Sequence, residues 1–343
     1  MNNVKWYELS GRDPDVVLSS KALITRNLTG YKFPAKMSME EKDEVIDKVF
    51  EALSGRDLEK YLLEGISESD RSDLIDSQVL SERGMFENPE GKAILSNQDR
   101  SLSVLIGNND HIKIKAQASG YTDSVYRAAE ETAIELEKKL DIAYSSKYGF
   151  LGSSINNTGL GVKLLYTIVI PGIAGTGDGI KAVKQAVTSR DWKIYPFFND
   201  KNVKCDVYVI SSTAALGVDE SMILDMGKKL IEEIVKIERM CRDNLYKNRP
   251  DILENNFYRS YGILYYSKCI DPLEAIDLMG WIRLFHGNED RSEIDLSDNQ
   301  INTIISRLLW EIFPMLLLKG EYRSDEKYTA MRIAGILKRK NGQ

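Results

Sequence analysis

Metal-binding side chains are scarce in this chain. It has two histidines, His111 and His286, and three cysteines, Cys205, Cys241 and Cys269. The cysteines lie too far apart for a metal-ligand spacing and are odd in number for a disulfide framework. No metal centre is expected, and the thiols suit a reducing, cytoplasmic setting. An excess of positive charge is missing too. Lys and Arg number 46 against 52 Asp and Glu, a net charge of −6, so no global field draws the chain to nucleic acid. No apolar run approaches the roughly 18–20 residues of a membrane span. The opening Met-Asn-Asn-Val-Lys-Trp lacks the apolar core of a signal peptide, so no membrane association is expected. Internal repeats, low-complexity tracts, the P-loop and the dinucleotide fingerprint are all absent.

What is present reads as a globular protein. The chain has 343 residues, 43% of them hydrophobic and 29% charged, enough for one large domain or two moderate ones. The most telling stretch is Ser101–Ser119. Leu102–Ile106 and Ile112–Ala118 are strand-like runs joined by Gly107-Asn108-Asn109-Asp110, which predicts a hairpin. In the second run Ile112, Ile114 and Ala116 alternate with Lys113, Lys115 and Gln117, the period-two pattern of a half-buried strand. Asn and Asp favour turns for local backbone reasons, so this turn reads equally as a plain connection or as the edge of an active site.

Around the hairpin, Ser38 with Glu41 three residues on forms a capping box for a helix of about sixteen residues, with Val45, Val49 and Leu53 along one face. Leu58–Leu63 is an apolar patch and Ser67–Leu80 a helix. Thr122 is expected to cap a long amphipathic helix whose buried stripe includes Val125, Ala128, Ala129, Thr132, Ile134 and Leu136. Val162–Ile170, Trp192–Phe198 and Cys205–Ser211 read as further strands, and Gly177–Val187 as a short helix. Asp219–Asn248 is a long helix with Ile223, Met226, Leu230, Ile234 and Ile237 in phase, ended by Pro250. Asp271–Phe285, Ser297–Leu318 and Ser324–Arg339 are expected helices. The fold class is therefore α+β: a mostly antiparallel sheet flanked by helices, followed by an all-helical C-terminal domain. The shift in pattern sets the domains at 1–240 and 241–343. The small-residue loop Gly152–Gly161, followed by Lys163, reads either as a tight loop or as an anion cradle. The lysines on the strands read either as solvent-facing positions or as weak contacts for phosphate or another anion.

Several segments together resemble one family. They are DVVLSSKALITRNLTGYKFP, SVLIGNNDHIKIK, FLGSSINNTGLGVKLLYTIVIPG, VISSTAALG, and NNFYRSYGIL with DPLEAIDLMGWIRL. Their order and spacing over about residues 15–340 resemble the bacterial protein-arginine kinases, a branch of the phosphagen or guanidino kinases. The resemblance implies a guanidino-kinase catalytic domain and ATP-dependent phosphoryl transfer to a guanidinium. That chemistry uses arginines to hold phosphates and two glutamates to orient the guanidinium and take its proton.

Position by position, however, the implied site is degenerate. The family's SSRIRLARN falls on Ser19–Asn27, where Lys21 and Leu23 replace two phosphate arginines and Arg26 is kept. Its NEEDHIR falls on Gly107–Lys113, placing Asn109 at the catalytic glutamate and Lys113 at an arginine. The substrate-side cysteine becomes Ser154, the next arginine Lys163 and the adenine-side histidine Gln78. The family's RGxYGEGSE falls on Ile194–Asn202, with Ile194 at its arginine and Asn199 at its glutamate. The phosphoarginine-binding motif falls on Lys327–Arg332 and is lost. The implied nucleotide or anion residues are thus Lys21, Arg26, Gln78, Lys113 and Lys163, and Mg-ATP is the cofactor to the extent that the cleft still binds it.

Asn supplies no charge and takes no proton, while the strand patterns are kept. The leading expectation is a folded pseudokinase, a binding or regulatory scaffold in protein quality control. Its implied partners are an active kinase subunit, an activator or Clp-type machinery, in a homodimer or heterodimer through the helical domain around Phe257–Leu264, Trp281 and Trp310. Two alternatives stand beside it. One is a divergent active kinase using Asp110, Asp200 or Glu220. The other is a module binding a guanidino compound, phosphoarginine or a nucleotide.

Overall fold

The computed structural model describes residues 5–8, 11–81, 85, 87–197, 206–213, 219–285, 298–309 and 333. Its centre is an eight-stranded sheet of order β2-β3-β4-β5-β1-β8-β10-β9. The strands are β1 (Val17–Arg26), β2 (Glu59–Leu62), β3 (Ala93–Ser96), β4 (Leu102–Ile106), β5 (Ile112–Ser119), β8 (Val162–Val169), β9 (Trp192–Pro196) and β10 (Val207–Ser212). Every neighbouring pair is antiparallel. A separate ribbon, β6 (Tyr144–Ser145) with β7 (Gly149–Phe150), was not expected from the sequence. The hairpin was: β4 and β5 pair from Ile106↔Ile112 outward.

The helices are α1 (Met39–Ala52), α2 (Glu68–Asp76), α3 (Ser124–Lys139), α4 (Pro171–Ala174), α5 (Gly179–Thr188), α6 (Glu220–Asn248), α7 (Pro250–Tyr266), α8 (Pro272–Phe285) and α9 (Asp298–Arg307). The Ser38–Glu41 capping box forms as expected, with both reciprocal bonds present. At α3 the cap is Asp123 rather than Thr122. Thr122 stands one residue too early, and its hydroxyl accepts from the Ser124 N–H instead. Ile134 on the same helix is 42% exposed, and Ala133 takes its place in the core. On α6 Ile223, Leu230 and Ile234 are buried as expected, Met226 and Ile237 are exposed, and the buried stripe widens to Gly227, Ile231, Val235, Glu238 and Arg242. Helix α7 was missed, because Tyr-rich NNFYRSYGILYY carries no clean apolar period. The expected helices beyond residue 309 lie largely outside the described residues.

One face of the sheet forms the main core. Ala22, Ile24, Ile112, Ile114, Val104, Ile106, Leu164 and Ile210 pack there against α1, α3 and the first half of α6. A second core joins Trp6, Tyr7, Leu18, Val169 and Val207 to α7, α8 and α9, and Phe257 and Leu264 are buried within it. Helix α6 passes residue 240 without a break and touches both parts. Near its middle the buried Glu238 carboxylate accepts from the Gly172 and Ile173 N–H groups, each at 2.8 Å, and from Arg242 Nε at 2.7 Å. A carboxylate at the amino end of α4 meets the donors that a helix start leaves unsatisfied. Arg242 continues to the Asp15 carbonyl, and so fixes the entry into β1.

Candidate active site

The opposite face of the sheet carries polar side chains between two apolar clusters, one holding Ile94 and Leu105 and the other Val169 and Val207, and the strand register decides which side chains share it. Residues directly across a ladder point to the same side. Lys21 faces Gln117, Leu23 faces Lys115 and Thr25 faces Lys113. Leu23 also faces Lys163, and Lys21 faces Leu165. Leu165 faces Ser211, and Ser211 faces Lys193. Lys21, Lys113, Lys115, Lys163 and Lys193 therefore stand on one face, opposite the main core. Strands lie about 4.8 Å apart, so Lys115 and Lys163, flanking Leu23, have backbones about 10 Å apart.

These lysines are not uniformly solvent-facing, contrary to one of the two readings from sequence. Lys163 and Lys193 are exposed, Lys113 is half-buried, and Lys115 is 5% exposed. The segment after α2 covers Lys115. Its ammonium donates to the Gln78 carbonyl and, at 3.0 Å, to Ser81 Oγ. Gln117 is likewise buried, donating to the Ser77 and Arg100 carbonyls. The strand that alternation marked as half-buried is thus covered on both faces. Lys21 lies 5.2 Å from the Trp6 ring centre. Burial, with Lys115 beside it, holds the Lys21 ammonium well below the usual lysine value.

At the end of β1 a knot of hydrogen bonds joins the two loops that the sequence singled out. Asp110 is 2% exposed. Its Oδ1 accepts from Asn27 Nδ2 at 2.8 Å and from the Ser153 N–H at 2.7 Å, and its Oδ2 accepts from Asn157 Nδ2 at 2.7 Å. The Asn27 carbonyl oxygen Oδ1 accepts from the His111 N–H. His111 Nδ1 accepts from the Leu28 N–H at 3.0 Å, which leaves Nε2–H to donate to the Lys32 carbonyl at 2.7 Å. Burial depresses the His111 pKa, partly opposed by the Lys32 carbonyl and Asp110.

The expected site residues fall as follows. Asn109 is exposed at the tip of the β4–β5 turn, and Ser154 is exposed at the start of the short 155–157 turn. The Asp110 bonds bring these two loops together. Arg26 is corrected from an anion ligand to a structural tie. It is 4% exposed, pairs with Glu137 at 2.7 Å, donates to the Thr25 and Leu160 carbonyls, and lies 3.4 Å from the Phe150 ring centre. Gln78 serves through its backbone carbonyl, held at a left-handed φ of 60°. Ile194 pairs with Ile210 and packs against the main core, so on β9 the cation facing the cleft is its neighbour Lys193. Asn199 and Asp200 lie outside the described residues, as do Trp310 and Lys327–Arg332. Glu220 hydrogen-bonds Tyr126 in the helix layer, behind the sheet from the lysines. Lys115, Lys193, Asn27 and Asn157 were not singled out. The Lys113/Lys115 alternation was the one signal for the first of these.

The sequence profile of the C-terminal catalytic domain of the ATP:guanido phosphotransferases matches residues 41–241. The chain belongs to this family. Among its relatives, the protein-arginine kinase of Clostridium tetani is 24% identical over 345 residues, covering 99% of this chain and 98% of that one. The protein-arginine kinase of Shouchella clausii is 29% identical, covering 81% of this chain and 80% of its own. The phosphotransferase fold is shared with solved structures. The duplicated taurocyamine kinase from Schistosoma mansoni, with bound transition state analog components, superposes with a TM-score of 0.61 at 21% identity, over 75% of this chain and 39% of that longer chain. Lombricine kinase gives a TM-score of 0.57 at 16% identity over 69% of each chain.

Within this ATP:guanido phosphotransferase fold, the exposed Lys163 and Lys193 and the half-buried Lys113 present positive charge on one face of the sheet. Ammonium groups are point charges that attract phosphate without the bidentate fork of arginine. Among the described residues no group of three His, Cys, Asp or Glu side chains is placed to hold a metal. Among the described residues no helix is long and apolar enough to cross a membrane.

Proposed function

We propose that this chain binds nucleotide phosphates on its lysine face and acts as a protein-arginine-kinase-like pseudokinase. One observation carries the reading. The carboxamide of Asn109 is exposed at the turn where the reaction needs a base, and the one carboxylate of that turn, Asp110, is buried under three donors. Mg-ATP supplies the transferable phosphoryl group when bound. On this chain, Lys113, Lys163 and Lys193 hold phosphate charge, Lys21 and Lys115 add field from beneath, and no described carboxylate stands ready to take a guanidinium proton. Positioned proton transfer is worth about 10²–10⁴-fold, so transfer falls by at least that factor. The retained role is then binding or regulation in cytoplasmic protein quality control. The expected partners are an active kinase subunit, an activator or Clp-type machinery, in a homodimer or heterodimer. Calorimetric titration with ATP and ADP, with and without Mg²⁺, tests the binding half. Saturable binding weakened by Lys163→Gln with Lys193→Gln supports it, and no heat at millimolar nucleotide removes it.

A second reading is favoured by the relatives, which carry the name protein-arginine kinase over nearly the whole chain. In it the chain is an active ATP:guanido phosphotransferase acting on protein arginine, with Asp200 supplying the carboxylate. It predicts ATP-dependent arginine phosphorylation that Asp200→Ala abolishes and that survives Glu220→Gln.

A further inference from the structure

At the other end of β1 from the Asp110 knot lies a separate open cavity of about 480 Å³, lined by Gly11, Arg12, Tyr121, Thr122, Asp123 and Arg127. A ten-residue strand spans roughly 30 Å, so this cavity is remote from the lysine loops at the Arg26 end. We propose that it is a second anion site, taking a small phosphate-bearing ligand between Arg12 and Arg127.

The site is built by the chain rather than left over at its surface. The Tyr121 N–H donates to the Arg12 carbonyl at 2.8 Å, which pins the backbone of the first arginine beside the tyrosine. The Arg12 guanidinium then lies 4.8 Å from the Tyr121 ring centre, a cation–π contact that presets its direction. The Tyr121 hydroxyl is turned to Asp123 Oδ1 at 2.7 Å. Two glycines allow the close approach. A Cβ on Gly11 would sit 2.0 Å from the Ser119 carbonyl, and one on Gly120, at φ +66°, would sit 2.5 Å from Gly11 Cα. Both arginines are exposed, and neither forms an ion pair among the described residues.

Charge and geometry select the ligand class. Two guanidinium groups against the Asp123 carboxylate leave the lining with an excess of one positive charge. Each guanidinium presents a planar fork that bonds two oxygens at once. A carboxylate has only two oxygens and satisfies one fork, whereas a phosphoryl group has three and can be shared between both. The volume falls in the range of small-molecule sites, about 300–1,000 Å³, so a compact organic phosphate or diphosphate fits better than a bare ion.

The test uses the full chain carrying Lys113→Gln, Lys163→Gln and Lys193→Gln, so that anions held by the lysine face do not obscure the reading. Pyrophosphate is titrated calorimetrically, with acetate in a parallel arm. Saturable one-to-one binding of pyrophosphate is expected, weakened roughly tenfold or more by Arg12→Gln or by Arg127→Gln, as the loss of one charge-assisted contact implies. Arg12→Lys and Arg127→Lys should recover part of the loss, since they keep charge without the fork. Absence of pyrophosphate binding, equal binding in the Arg12→Gln/Arg127→Gln protein, or acetate bound as tightly as pyrophosphate each overturns the proposal. An unchanged unfolding midpoint in the variants shows that the reading is local.

Discussion

Substituting Asp110 separates a structural carboxylate from a catalytic one. Asp110 accepts three hydrogen bonds from two other stretches of chain, one from Asn27 and two from Ser153 and Asn157 in the 152–161 loop. In Asp110→Asn the retained oxygen keeps the two donors on Oδ1, but an NH₂ now faces the Asn157 NH₂. One charge-assisted bond is lost, worth about 1.5–3 kcal/mol. The other two become neutral, which costs about 0.5–1 kcal/mol each, because charge roughly doubles such a bond. The expected loss is therefore about 2.5–5 kcal/mol. At about 2.1 cal/mol/K per residue, a 343-residue chain unfolding as one unit would melt about 3.5–7 °C lower. Scanning calorimetry reads this directly. A double-mutant cycle with Asn157→Ala should show coupling of about 1–2 kcal/mol. A shift under about 1 °C, or no coupling, would refute the reasoning, and loss of arginine phosphorylation without loss of stability would make Asp110 a base instead.

Other consequences follow from the same contacts. Glu238→Gln leaves Arg242 beside a neutral amide with the more distant Asp15 carboxylate, at 3.4 Å, still paired to it, so chemical denaturation should show a loss of about 3 kcal/mol, the low end of the cost of breaking a buried pair. His111 has a folded pKa below its unfolded value near 6.5. The unfolded chain therefore binds the extra proton first, and stability present above about pH 6.5 falls as the pH drops below it. Melting midpoints between pH 7.5 and 5 should show this slope, and His111→Gln should flatten it. Ser38→Ala removes one half of the α1 capping box and should cost about 1 kcal/mol by the same denaturation assay, leaving nucleotide affinity unchanged.

Local features were legible in the sequence. The Ser38–Glu41 box, the β4–β5 hairpin and the Pro250 break each depend on residues a few positions apart, and each formed as read. The cleft was legible only as motif positions. Asp110 meets Ser153 and Asn157 across 43 and 47 residues of chain, a contact that no local period encodes. The turn aspartate that looked like an ordinary turn former is the bolt between two loops. Arg26 kept its identity but not its implied task, since Glu137 and Phe150, more than a hundred residues away, claim its guanidinium. Lys193 was not legible because a strand's faces alternate, and only the register with β10 puts it, rather than its neighbour Ile194, on the face of the other lysines.

The central claim is that the cleft binds a nucleotide without transferring its phosphoryl group. Phosphorus NMR on the full chain with Mg-ATP and an arginine-rich acceptor protein measures that transfer directly. The account predicts ATP resonances broadened by binding and no phosphoarginine signal over hours. An acid-labile phosphorus–nitrogen resonance that grows with time and depends on the chain would contradict it.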